Sequence, residues 1–177
     1  MNNKTYYIFN NVITFCFLFL SSLSADDGYK MPPKSIIDLV DASVTPNISL
    51  SPDKKHILIL ERSSLPSIEE LSQPELRLAG LRINPFTNGR SRSNNYKSII
   101  IQNINSGKQK KVKGLPKNST ISSVIWSPNG KQIAISLING NQINLYLAET
   151  KNGKSKLLIN RPLNTIYGSS VYWLNDS

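Results

Sequence analysis

The chain has 177 residues, enough for one ordinary domain, and its single cysteine, Cys16, excludes an intrachain disulfide or a zinc–thiolate cluster. Its 21 basic and 11 acidic residues leave a net charge of +10, unevenly spread. No Asp or Glu lies between Glu75 and Glu149, a stretch that carries Arg77, Arg82, Arg90, Arg92, Lys97, Lys108, Lys110, Lys111, Lys113, Lys117 and Lys131. Such a field attracts polyanions or acidic ligands, although a solvated surface is the plainer explanation of a charge run. No helix-turn-helix, zinc finger or aromatic RNA-binding signature accompanies it, so nucleic acid is not expected as a partner.

In chain order, Lys4 precedes an apolar run from Val12 to Leu20, then Ser21-Ser-Leu-Ser-Ala25 and the acidic Asp26-Asp27. Charge, apolar core and small-residue cleavage region in that order read as a secretory signal over residues 1–25, with cleavage after Ser24 or Ala25. The nine residues of the run are too few for a membrane span, which needs roughly 20, so no stable span is expected after cleavage. Thr14 and Phe15 ahead of Cys16 argue against a lipid-attached N-terminus. An exported protein, periplasmic or secreted, is expected. Without Cys16, the mature chain holds together by core burial alone.

Residues 26–46 read as a mobile tail and a short helix near 34–42, with Pro33 in its first turn and Ile36 and Val40 on one face. Ile48 and Leu50 then alternate as a strand, Ser51-Pro52-Asp53-Lys54-Lys55 turns, and Ile57-Leu-Ile-Leu60 returns. His56, the one histidine, reads as a polar strand start because no Ser/Asp constellation accompanies it. An insertion over 62–95 follows. Ser67 with Glu70 forms a capping box for a helix near 67–73. Glu75 to Ile83 alternates as a strand with a bulge at Ala79-Gly80, and Asn84-Pro85 and Asn88-Gly89 are turns. Strands are expected at 96–104 and 109–112, and they complete a first four-stranded unit over 47–115.

The second unit, 116–162, begins with Val124 and Trp126, turns at Ser127-Pro128-Asn129-Gly130, and returns through Ile133 and Ile135. Strands at 143–147 and around 157–159 follow turns at Asn139-Gly140 and Asn152-Gly153. Residues 163–177 start the same strand-and-turn pattern a third time, at Val171-Tyr-Trp-Leu-Asn-Asp-Ser177. Trp126 to Trp173 is 47 residues, Pro52 to Pro128 is 76, and the excess of 29 equals the stretch from Arg62 to Arg90. A returning unit of roughly 40–50 residues with four short strands is the signature of a β-propeller blade. The expected fold is therefore all-β: an incomplete propeller of about two blades plus the first strand of a third. Rings close with roughly four to eight blades, so the sequence is expected to be the front part of a longer protein.

Chemistry is sparse. There is no Gly-x-Ser-x-Gly elbow, P-loop or metal-ligand cluster, so no catalytic, cofactor-binding or metal residue is assigned and no cofactor is expected. Glu69 and Glu70 read as helix-capping residues, and Asp38 and Asp41 as a solvated helix face.

The Trp-Ser-Pro-Asn-Gly-Lys turn resembles blades of the prolyl oligopeptidase family and of TolB-like periplasmic propellers. A sharper match comes from Pro32-Pro-Lys-Ser-Ile-Ile-Asp-Leu-Val-Asp-Ala42, from Leu60 through the insertion to Asn84, and from Asn88-Gly89-Arg90-Ser91-Arg92. These segments resemble the N-terminal propeller of the glutamyl endopeptidase branch, over essentially the whole mature chain. The resemblance implies a propeller that gates or positions peptide substrates for a C-terminal α/β-hydrolase domain with a Ser-Asp-His triad. That domain and the remaining blades would be the partners, and this chain alone, holding no triad position, would be inactive. The basic field would then draw acidic peptides, with Arg77, Arg82, Arg90 and Arg92 as candidate contacts. A non-enzymatic TolB-like binding propeller and a polyanion-binding surface protein are the alternatives.

Overall fold

A computed structural model describes residues 30–174; the expected signal at 1–25, the start of the tail and the last three residues of the expected third-blade start lie outside the described residues. Two units are distinguished, 1–40 and 41–177. In the first, helix α1 spans Lys34–Val40 and buries none of its residues. Pro33 caps rather than begins it, its carbonyl accepting from the Ile36 and Ile37 N–H groups. Asp38 pairs with Lys34 one turn away at 2.8 Å, as a solvated helix face does.

The second unit is all-β, with one short helix. Its first sheet joins β1 (Asn47–Leu50), β2 (His56–Glu61), β6 (Ser98–Asn103) and β7 (Gln109–Lys111), each antiparallel to the next. Another four-stranded meander joins β8 (Thr120–Trp126), β9 (Gln132–Asn139), β10 (Gln142–Glu149) and β11 (Ser155–Ile159). Both have the strand number and topology of a propeller blade. The insertion contributes α2 (Ile68–Leu71) and a small sheet of β3 (Leu76–Leu78), β4 (Leu81–Asn84) and β5 (Gly89–Arg90).

The two blades open on the same turn, bond for bond. In blade 1 the Ser51 carbonyl accepts from Lys54 N–H, the Ser51 hydroxyl bonds Asp53 Oδ1 at 2.6 Å and accepts from His56 N–H, and Asp53 Oδ1 also accepts from Lys55 N–H. In blade 2 Ser127, Asn129, Gly130, Lys131 and Gln132 repeat every one of these contacts. Both serines are buried, so their hydroxyls satisfy backbone N–H groups that water cannot reach.

Alternation on the two sheets builds one core between them. Leu58, Leu60, Ile99, Ile101 and Val112 face Ile121, Ile133, Ile135, Leu137 and Ala148. Ile133, Ile135 and Leu137 are fully buried, and each such side chain stabilises the fold by roughly 1.5–3 kcal/mol. Backbone bonds join the blades at two places, Tyr96 with Ile121 and Lys113 with residues 153–155.

Two details differ from expectation. The bulge expected at Ala79-Gly80 is a two-residue hairpin turn, with Leu78 paired to Leu81. Both turn residues have positive φ, +47° at Ala79 and +83° at Gly80, the requirement of a type I′ turn. The capping box is half formed. Ser67 Oγ accepts from Glu70 N–H, but the Glu70 carboxylate accepts from the Asn95 side chain instead of closing back.

Beyond β11, residues 171–174 belong to no strand. Trp173 Nε1 nevertheless donates to the Ile125 carbonyl of β8, as Trp126 Nε1 donates to Ser49 Oγ of β1. Ser49 and Ile125 are equivalent positions, 76 residues apart, so the tryptophan step repeats from unit to unit.

Candidate functional site

The insertion places two of the predicted arginines directly opposite each other, Arg77 on β3 and Arg82 on β4. Like charges in that arrangement destabilise a hairpin unless a counter-charge sits between them. Glu75, just before β3, supplies it. Its Oε1 accepts from Arg77 Nε at 3.0 Å and Arg82 Nη1 at 3.1 Å, and its Oε2 accepts from Arg92 Nε at 3.2 Å and the Ser91 hydroxyl at 2.7 Å. The Ser91 hydroxyl and the Arg77 guanidinium, with the charges of Arg82 and Arg92, hold the Glu75 carboxyl below its ordinary value of 4.5.

The structure therefore gathers Arg77, Arg82 and Arg92, and leaves Arg90 apart, where its Nε donates to the Ile166 carbonyl at 3.4 Å. Three guanidiniums share one carboxylate, which leaves a positive surplus on side chains that are 45–70 % exposed. The carboxylate that organises them, Glu75, was not signalled by sequence. It lies 16 residues before Ser91, and only the three-stranded sheet brings the two together.

A second concentration of positive charge lies in a cleft of about 700 Å³ between the two blades. Lys108, Lys110, Lys131 and Lys151 line it, and Lys110 Nζ donates to the Lys151 carbonyl at 2.6 Å. Its two carboxylates are already engaged. Asp53 is held by the Ser51 hydroxyl and Lys55 N–H, which with nearby positive charge keep it below its ordinary 3.8, and Glu149 accepts from the Asn152 amide. His56 also lines the cleft, and its Nδ1 has no hydrogen-bond partner among the described residues. Among those residues no three His, Cys, Asp or Glu side chains gather as metal ligands, and no helix is long and apolar enough to cross a membrane. What both regions can do is attract and hold anions.

No protein-family model matches the sequence. Over 167 residues the chain is 37 % identical to a probable glutamyl endopeptidase, chloroplastic, of Oryza sativa subsp. japonica, across 87 % of this chain and 18 % of that protein. It is 35 % identical over 167 residues to the protein of the same name from Arabidopsis thaliana, across 88 % of this chain and 17 % of that one.

The chain is homologous to one part of these two plant proteins. It spans less than a fifth of the length of these curated relatives. Among solved structures, a Bacteroides ovatus protein assigned as a dipeptidyl aminopeptidase IV superposes with a TM-score of 0.40 and 16 % identity, over 62 % of this chain and 16 % of its own. The link to peptidases therefore stands on sequence, and the blades stand on the strand topology described above.

Proposed function

We propose that this chain is the N-terminal propeller segment of an exported serine endopeptidase, and that it gates or positions acidic peptides for an α/β-hydrolase domain on a longer chain. The observation that carries the reading is the 37 % identity over 87 % of the chain to a glutamyl endopeptidase, in a molecule built of repeated blade-like meanders. The name of those relatives supports cleavage beside glutamate, and the surplus of positive charge around Glu75 and in the inter-blade cleft suits substrates of opposite sign. Export rests on the N-terminal segment Lys4 to Asp27.

The half-covered face of blade 1 supports the idea of further blades. Ile57 and Ile59 are the equivalents of Ile133 and Ile135, which blade 1 buries completely. In blade 1 that same face is only half covered, and Ile48 and Leu50 beside it are 66 % and 53 % exposed. A face written for burial takes another blade as its cover.

The test is to express the longest product of the gene, react it with a fluorophosphonate and assay peptides that differ only by Glu or Gln at one position. The reading expects labelling of one serine beyond residue 177 and cleavage after Glu. A folded product that neither labels nor cleaves would replace it with the non-enzymatic binding propeller.

A further inference from the structure

Beneath the insertion, residues 62–71 and 92–97 enclose a cavity of about 640 Å³, within the usual size of a ligand site. Two of the side chains that line it each hold a buried polar atom with no hydrogen-bond partner among the described residues: Arg62 Nε, a donor, and Asn95 Oδ1, an acceptor. Leaving either unpaired costs about 1–3 kcal/mol, more for the charged group, and such orphans are rare in folded proteins. The orientation of Asn95 is fixed by chemistry. Its Nδ2 faces Glu70 Oε1 at 3.4 Å, and a carboxylate only accepts, so the atom left over is the carbonyl oxygen. Arg92 and Lys97 add positive charge to the rim, while the Glu70 carboxylate is taken by Asn95. Leu65 and Leu71 offer exposed apolar surface beside these groups.

A ligand that satisfies this cavity must bring an anion to Arg62 and an N–H to Asn95 Oδ1, on a partly apolar body. The geometry points to an acidic peptide segment, its carboxylate on Arg62 and a main-chain N–H on Asn95. The cavity is then a docking site for acidic peptides. This rests on the peptide-handling role proposed above for its choice of ligand, and on the two orphaned atoms for its place.

The experiment measures anisotropy of a fluorescein-labelled Ala-Leu-Glu-Gly-Ala peptide and its Gln twin on the full chain, without catalysis. The Glu peptide should bind more tightly. Arg62→Gln should weaken it at least about tenfold while sparing the twin, the loss of one charge-assisted bond. Arg62→Lys, which keeps the charge and loses the fork, should fall between, and Asn95→Asp should weaken the Glu peptide by about as much as Arg62→Gln through repulsion. Lys156→Gln, an exposed charge on β11 outside both basic regions, should change either affinity less than about twofold. Equal binding of the twins, or equal losses from Lys156→Gln and Arg62→Gln, would overturn the site in favour of a diffuse polyanion surface. A longer gene product that cleaves after Glu while the Arg62 variants keep full affinity would remove this inference alone. Peptide binding that depends on Arg62 in a product with no hydrolase activity would remove the proposed function alone.

Discussion

Blade 1 and blade 2 use one local code and reach different degrees of burial. The same Ser-Pro turn opens both, with the same hydroxyl and side-chain bonds, and both return through alternating isoleucines. Yet β9 is buried along most of its length, while β2 is buried only at Leu58 and Leu60. Blade 2 has blade 1 on one face. On the other, Gly89 lies so close to Ile143 that an added Cβ would fall 2.7 Å from its Cδ1. Among the described residues, blade 1 is fully covered only on the face toward blade 2. Turn chemistry thus sets the hairpin, and neighbours set the stability of the face it presents.

The sharpest way to test this difference is at equivalent isoleucines. Ile135→Ala should cost about 2–5 kcal/mol in a denaturant titration, because the site is fully buried and collapses poorly. Ile59→Ala, on the half-covered face, should cost about 1 kcal/mol. Equal costs would mean that blade 1 is covered after all.

A smaller effect, of opposite sign in the two blades, is expected at the left-handed position of the turn. Gly130 has φ +68°, and an added Cβ would meet the Asp53 carboxylate carbon at 2.8 Å, so Gly130→Ala should destabilise by about 1–2 kcal/mol. Lys54 holds the same position with φ +56°, so Lys54→Gly should stabilise by up to about 1 kcal/mol in the same titration. Matching signs would show that the turns are not equivalent.

The smallest difference is in acid. Asp53 in blade 1 stands where blade 2 has Asn129. The Asp53 carboxyl is held below 3.8, so its contribution is fully present above that value and is lost as pH falls through the depressed folded value. Hydrogen exchange at Lys55 and His56 should quicken in that window, with no matching change at Lys131 and Gln132. Asp53→Asn should abolish the difference and leave neutral-pH stability nearly unchanged.

Most of the fold was legible because its signals are local. Pro52 and Pro128, the serines before them and the alternation at 133, 135 and 137 each specify a strand or a turn within a few residues. The hairpin at Ala79-Gly80 was not, because alanine gives no warning of a positive φ and a type I′ turn usually announces itself with Asn-Gly. The arginines were visible as charges. Their attachment to Glu75, and the orphaned atoms of Arg62 and Asn95, depend on segments that only the folded insertion brings together.

The backbone bonds at Lys113 carry a consequence for synthesis. Its N–H and its carbonyl are both taken by residues 153–155, roughly forty positions further on. On the ribosome, the outer rim of the earlier sheet therefore stays unfinished until the last strand of the next has emerged. The two sheets lock as a pair, and a pause placed between them would expose a half-stitched seam to proteases and to neighbouring chains.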